Sequence, residues 1–276
     1  VAGELLDPAA TARLERVWAQ HARDVARELA RIDPSLRTTV ADVADGLLVL
    51  QGPGMYVNRA LAVGLTQPIG PTDLDLVEER SAAVGVAPAV ELVPISHASI
   101  TDACRDRGYR AGDPVSVLTR SIDGAWLTDL PDDESIDVRP IAADDVGLWQ
   151  DVSEAAWELG TDAARLASRR FVAAVHAEPH ETLLLARDAT DGRPLGCATV
   201  IVRDGVATLG GMSTLPAARR RGVQRALVRA RLAIGLAAGC ELAAVSAVAG
   251  GASARNLVRL GFVPQYDKVT VTRHLG

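Results

Sequence analysis

The chain has 276 residues, 48% hydrophobic and 23% charged, which is enough apolar material for a packed core and too little charge for a disordered chain. A formal net charge of -6 argues against general nucleic-acid binding, and no apolar run is long enough to span a bilayer. No basic-then-apolar pattern opens the chain, and three widely spaced cysteines, Cys104, Cys197 and Cys240, form neither a disulfide framework nor a zinc knuckle. The expectation is therefore a cytoplasmic globular protein with no metal and no membrane or nucleic-acid partner.

Asp7-Pro8 marks a capped helix start, and Leu14, Trp18, His21, Val25 and Leu29 continue near helical spacing up to Pro34. Strands are expected around 47–51 and 56–65. In the latter, Val57, Leu61, Val63 and Leu65 make an apolar face interrupted by Arg59, which requires either an acid or a cleft. Contact with an anionic part of a substrate and a buried structural ion pair both satisfy it. A helix over 72–84 and a strand over 90–93 follow. The stretch 123–135 is rich in Asp, Pro and Gly and reads as a linker. Beyond it, a strand is expected over 136–140, helices over 143–157 and 162–176, and strands over 182–187 and 195–202. These last two are joined by the turn Asp191-Gly192-Arg193-Pro194. A strand over 206–214 feeds an arginine-rich turn and a long helix to Ala238. A strand over 241–248, a helix over 253–260 and a strand over 269–273 complete the chain.

The two halves repeat each other. Placing Gly108 of Arg107-Gly108-Tyr109 on Gly261 of Leu260-Gly261-Phe262 puts Thr119 on Thr272 and Arg120 on Arg273 without a gap. The same offset places Val90–Val93 on Ala243–Ser246, and one residue away Ala83-Val84-Gly85 falls on Ala237-Ala238-Gly239. This collinearity indicates a tandem duplication of an α/β unit.

Charge is distributed unevenly. From Gly205 to Cys240 there is no acidic residue, yet six arginines lie between Arg219 and Arg231. Lys268 is the only lysine. A local cationic patch on an acidic chain points to an anionic ligand of limited size, or to a solvated helix face. In Met212-Ser213-Thr214-Leu215-Pro216 followed by Arg219-Arg220-Arg221-Gly222-Val223-Gln224-Arg225, a strand ends and a helix begins within a few residues. The first turn of a helix has amides without internal partners and a positive dipole end. Gly222 lets an anion approach the backbone, and arginine forks suit phosphate oxygens. Together these describe a pyrophosphate cradle. The turn has no lysine and one glycine, so it is neither a P-loop nor a dinucleotide fingerprint.

The strand, Pro216 and Arg219-x-x-Gly222-x-Gln224 resemble the coenzyme A motif of the GNAT superfamily of N-acetyltransferases. The string Ser253-Ala254-Arg255-Asn256-Leu257-Val258-Arg259-Leu260-Gly261-Phe262 is similar to the family's following helix and its Gly-Phe end. The resemblance covers roughly 136–276 and departs at Gln224, where the family usually has Gly or Ala. It implies two tandem GNAT-like units, each a mixed, mostly antiparallel twisted sheet flanked by helices. A degenerate unit would span 1–122, a linker 123–135 and a catalytic unit 136–276. It further implies acetyl-CoA or another short acyl-CoA as co-substrate and a small-molecule or peptide amine as acceptor, with a homodimer as one possible assembly. Met212, Ser213 and Thr214 would meet the pantetheine arm, Arg219, Arg220, Arg221, Gly222, Val223, Gln224 and Arg225 the pyrophosphate, and Asn256 either of them. A strand amide near Met212 would polarise the carbonyl for direct attack by the amine.

The family's usual acid and base are missing. Leu257 stands where the family often has tyrosine, and the strand 206–214 carries no carboxylate. Candidate substitutes are Ser253 and Tyr266 as donors to the leaving thiolate and Glu154, one turn from Glu158, for binding or deprotonating the amine. Their ordinary roles are a helix cap, packing and a solvated pair. His176 and His180 have metal-like spacing, but Pro179 breaks a common helix face. Cys197 and Cys240 read as core residues. Gly211-Met212-Ser213-Thr214-Leu215 lacks the second glycine of a nucleophile elbow. In the first half, Gln67–Asp75 carries acids where the second half has its arginines, which would repel a pyrophosphate. The rival functions are a non-catalytic acyl-CoA-binding sensor and a GNAT-like acyl-CoA decarboxylase.

Overall fold

The computed structural model of the chain describes residues 5–124 and 132–274, so part of the expected linker (125–131) lies outside the described residues. The chain forms two compact α/β units. The first comprises 1–117, 247–254 and 264–276, and the second 118–246 and 255–263.

The first unit opens with helix α1 (Pro8–Ile32). Asp7 accepts the Ala10 amide at its N-terminus, and Pro8 occupies the first turn, where no amide is needed. Strands β1 (Thr39–Val43), β2 (Gly46–Leu50), β3 (Asn58–Leu61) and β4 (Ala89–Leu92) follow, with helix α2 (Pro71–Val84) between β3 and β4. Helix α3 (Ala98–Asp106) and the two-residue strand β5 (Arg110–Ala111) come next, and then β6 (Val115–Ser121), of which Leu118 onward is assigned to the second unit. The strands β1, β2 and β3 pair antiparallel, and β3 meets β4 in parallel at Ala60 and Val90. The last strand of the chain, β12 (Val263–Thr272), supplies the next position, antiparallel to β4 from Val269↔Leu92 to Thr272↔Ala89. Leu48, Leu50, Val77, Val90, Ile100 and Val271 pack into one core, while Ala19, Ala22 and Ala26 of α1 cover Val49 and Leu61 on the other face. Small residues at this helical spacing let α1 lie close to the sheet.

The second unit contains β7 (Ile136–Pro140), α4 (Val146–Trp157), α5 (Asp162–Ala177), β8 (Glu181–Asp188), β9 (Pro194–Arg203), β10 (Val206–Thr214), α6 (Val223–Ala237) and β11 (Leu242–Val248). Strands β7 to β10 form an antiparallel meander, and β11 joins β10 in parallel. A parallel neighbour needs a crossover, which α6 provides. Trp149 anchors α4 by donating its indole N–H to the Leu184 carbonyl at 3.0 Å. Helix α7 (Ala252–Arg259) ends at Gly261.

The repeat seen in the sequence recurs in backbone geometry. Gly108 and Gly261 are both left-handed, with φ of 77° and 79°. The Tyr109 amide donates to the Cys104 carbonyl, and the Phe262 amide to that of Leu257. Both helices thus end in the same glycine-dependent cap, and the following aromatic, buried in each case, locks it. Some strand limits differ from the sequence expectation. Strand β1 was not expected, β3 is shorter than 56–65, and β12 begins at Val263 rather than 269. The segment around β3 has the composition of a longer strand, but its backbone turns away at Ala62, whose φ is 54°.

Candidate functional site

The site lies in the second unit, where β10 and β11 part company. Their parallel ladder runs from Val206↔Leu242 to Thr208↔Ala244, although β10 continues to Thr214. On its other edge β10 pairs with β9, and the register shifts by one residue between Gly210 and Ser213. This is a β-bulge, which breaks the ladder locally and re-aims backbone groups. The sequence permits it through Gly210 and Gly211. A Cβ on Gly210 would stand 2.9 Å from the Thr199 hydroxyl, and Gly211 has a φ of 50°.

After β10, a 3-10 turn over Pro216–Ala218 leads to Arg220 at φ 66° and Gly222 at φ 87°. Gly222 is the N-cap of α6 and has no side chain to satisfy the first amides. Its carbonyl accepts from Ala226, so the amides of Val223, Gln224 and Arg225 have no acceptor within the helix. A cleft of about 490 Å³ opens here, lined by Thr214, Arg219, Arg220, Gly222, Gln224 and Asn256 among others. The buried Val223 side chain fixes the helix start against Gly196.

The expected coenzyme A residues are largely brought together. Asn256 donates to the Gln224 side chain at 2.8 Å, so the residue that departs from the family's pattern is held by the asparagine of the next helix. Met212 is half-buried, while Ser213 is buried and bonded to the Cys197 sulfur at 3.1 Å. The arginines are less free than their sequence context indicates. Arg221 binds Asp188 at 2.7 Å, Arg225 binds Asp133 at 3.1 Å and Arg219 lies 3.8 Å from Glu158. The Arg221 hydrogen bond holds the Asp188 carboxyl down to about 2. The stretch without acids is therefore neutralised by acids from distant segments. The cradle rests on main-chain amides and a left-handed glycine, with guanidinium groups around its rim.

The catalytic candidates are dispersed. Glu154 accepts from Arg169 at 3.1 Å and from Gln150 at 3.1 Å, which makes it a paired carboxylate. Ser253 is exposed in the first turn of α7. Tyr266 belongs to the first unit and donates to Glu15 at 2.6 Å. There Lys268 bridges Glu15 (3.1 Å) and Glu91 (3.0 Å) beneath the Trp18 ring, and Glu91 also binds Arg59 at 3.1 Å. Arg59 is thus a structural ion pair, the plainer of the two readings.

Two features escaped sequence reasoning. Glu181 on β8 has its carboxyl pushed up to about 8 by burial, opposed by a hydrogen bond with Thr199, the residue beneath Gly210. Arg231 on α6 is fully buried and reaches the bulge itself. Both depend on cross-strand neighbours that linear spacing does not disclose. Cys197 is pushed up to about 11 by burial, so its thiol is an inert core group. Among the described residues no group of three or more His, Cys, Asp or Glu could hold a metal ion, and no helix is long and apolar enough to cross a membrane.

The equivalent region of the first unit is filled from within. Beyond β3, Asp45 accepts from the amides of Gly64 and Thr66, each at 2.6 Å. At the start of α2, the Gly70 amide goes to Asp73 at 2.8 Å. Carboxylates of the chain thus occupy amides of the loop that leads into α2.

Residues 148–262 match the model of the acetyltransferase (GNAT) family. Among solved structures, the chain is similar to a GCN5-related N-acetyltransferase from Kribbella flavida, at 20% identity and a TM-score of 0.63, covering 92% of this chain and 96% of that one. A tandem GNAT protein from the clavulanic acid biosynthesis pathway aligns at 15% identity and a TM-score of 0.62, covering 84% and 78%. A functionally unknown conserved protein from Staphylococcus epidermidis aligns at 14% and 0.61, covering 86% and 94%. These likenesses concern the fold. No curated protein matches the sequence.

Proposed function

With a GNAT-family acetyltransferase domain over residues 148–262 of a chain built from two tandem GNAT-like units, we propose that the protein is an acyl-CoA-dependent N-acyltransferase. It moves an acetyl or other short acyl group from a thioester to a primary amine by direct attack. The observation that carries this reading is the divergence of β10 from β11 after Thr208, leading into an uncapped helix start above an open cleft. The chemistry is assigned to the segment 136–276, and the segment 1–122, in which Asp45 and Asp73 fill loop amides ahead of α2, supports it without a coenzyme A site of its own.

Acyl-CoA supplies an activated thioester. The amides of Val223, Gln224 and Arg225 and the positive end of α6 suit its pyrophosphate. Gly222 keeps the approach to those amides clear of a Cβ, and Arg219 and Arg220 add cationic groups at the rim. Gln224 and Asn256, tied to each other, present amide groups along the cleft. Met212 and Thr214 offer backbone groups to the pantetheine arm from the stretch of β10 beyond its ladder with β11. Transfer forms a C–N bond as the C–S bond breaks, and the proton given up by the amine balances the departing thiolate, which leaves as free thiol. The inert Cys197 is consistent with direct attack rather than a covalent enzyme intermediate.

The specific test is release of free thiol when acetyl-CoA and a panel of primary amines are mixed with the protein, with mass spectrometry of the products. An acylated amine is the expected result. A second reading, a non-catalytic acyl-CoA-binding module, is favoured by the buried Leu257 in place of the family's frequent tyrosine and by the lack of a carboxylate on 206–214. Tight acetyl-CoA binding without thiol release from any amine would support it. Decarboxylated acyl-CoA among the products would indicate decarboxylase chemistry instead.

A further inference from the structure

Among the described residues Arg231 is the largest fully buried side chain, at 1% exposure. Among the described residues its hydrogen-bond partners are backbone carbonyls and a thioether, with no carboxylate among them. Nε donates to Leu227 O at 3.0 Å, Nη1 to Thr199 O at 3.4 Å and Gly210 O at 3.3 Å, and Nη2 to the Met212 sulfur at 3.2 Å. Burial pulls the guanidinium down to about 9, so it remains cationic at neutral pH. A buried charge without a counter-ion is costly, and a helix-to-sheet contact can be filled at lower cost by leucine or methionine. The sequence places it at the one point where the β9–β10 ladder is broken.

The geometry has a specific consequence. Thr199 and Gly210 are the last paired residues before the bulge, and Nη1 bonds the carbonyls of both. In a trans peptide the C=O and the N–H that follows point in opposite directions. With the Gly210 carbonyl turned toward the guanidinium, the Gly211 amide faces away from it. Gly211 is exposed and lies within the register shift. A hydrogen bond to a cation at the oxygen of a peptide polarises the whole group and makes its N–H a stronger donor. We propose that Arg231 is a positioning residue that holds the β10 bulge and polarises the Gly210–Gly211 peptide, so that the Gly211 amide binds the carbonyl oxygen of the acyl thioester. This rests on the acyltransferase reading above and deepens it. A preorganised donor in a fixed dipolar frame is an efficient way to stabilise charge developing on that oxygen.

The test uses the full chain and acetyl-CoA carrying a 13C label at the thioester carbonyl, read by isotope-edited infrared spectroscopy without any acceptor. In the wild type, binding should shift the carbonyl stretch to lower frequency. R231M should bind acetyl-CoA within about threefold of wild type, because the pyrophosphate amides are untouched, but lose the shift. R231K, which keeps a cation but not the fork, should retain part of it. With an accepted amine, kcat should fall in R231M by up to about a hundredfold, the loss on removing an oxyanion donor outright, while KM for acetyl-CoA stays near wild type. A folded R231M with the wild-type shift overturns the role of Arg231 and leaves the acyltransferase reading intact. A wild-type protein that binds no acetyl-CoA overturns both. If R231M does not fold, R231K decides, because a full wild-type shift and kcat with a point charge in place of the fork also overturns the proposal.

Discussion

At the scale of single residues, the site shows how far local chemistry can be read from a string. Gly222, the helix start and Asn256 were legible because each depends on neighbours within a turn or on a motif. The arginine partners were not, since Asp188 and Asp133 lie 33 and 92 residues from the groups they bind. This pairing changes what a substitution should do. Replacing both Arg219 and Arg221 with alanine should weaken coenzyme A binding by about tenfold, near the worth of one charge-assisted hydrogen bond, because Arg221 already shares itself with Asp188. Titration calorimetry would measure it, and an unchanged affinity would remove the guanidinium groups from the cradle. Glu181 gives a second residue-scale expectation. Its carboxyl, ordinarily near 4.5, is raised to about 8 by burial. The folded protein therefore keeps a proton that the unfolded chain releases. The stabilising contribution is complete below the unfolded value and is lost as pH rises through about 8. In E181Q the group no longer titrates. The melting temperature of the wild type relative to E181Q should then fall between pH 5 and pH 9, and parallel curves would show that Glu181 is not held protonated.

At the scale of elements, hydrophobic period and glycine position located most helices and strands, and the shared caps at Gly108 and Gly261 carry the duplication into the backbone. Strand β1 escaped because its side chains are mostly half-buried, so Thr39–Val43 lacks a clean alternation. The buried cluster of the first unit escaped because it unites α1, β4 and β12, whose charged residues are far apart in the chain. Lys268 there serves two carboxylates, Glu15 and Glu91, at 3.1 and 3.0 Å. Burial raises Glu15, while Glu91 is lowered on balance by its neighbours Lys268 and Arg59 against the same burial. The lysine is thus what makes two buried acids tolerable. K268M should destabilise the protein by about 3–5 kcal/mol, the cost of breaking a buried pair from one side. Adding E15Q should recover part of that loss, because it removes one of the stranded charges. Chemical denaturation of the two variants would decide the matter, and a K268M protein as stable as wild type would show that the acids simply take up protons.

At the scale of the whole molecule, the duplication was readable, but the allotment of strands to units was not, because strand pairing is a long-range property that leaves little trace in local pattern. The first compact unit includes 264–276, and β12 pairs there with β4 through Val269–Thr272. Residues 118–121, sequence neighbours of the first unit, belong to the second, where the Ile122 amide donates to the Glu241 carbonyl. The first unit is therefore completed by a segment from the far end of the chain, while the second begins at Leu118. Deleting residues before Asp123 would strip β12 of β4 and leave a strand edge with Val269 and Val271 exposed, a template for aggregation. It would also take α1 and Glu91 away from Lys268. A fragment of 136–276 alone should be insoluble or lack acyltransferase activity. The same fragment co-expressed with 1–122 should be recovered as a one-to-one complex with activity restored, because every strand pair would be re-formed without the connecting residues. Size-exclusion chromatography and thiol release would read the outcome. A soluble, fully active 136–276 would show that the second half needs nothing from the first, and that the pairing of β12 with β4 is an accident of duplication rather than a condition of folding.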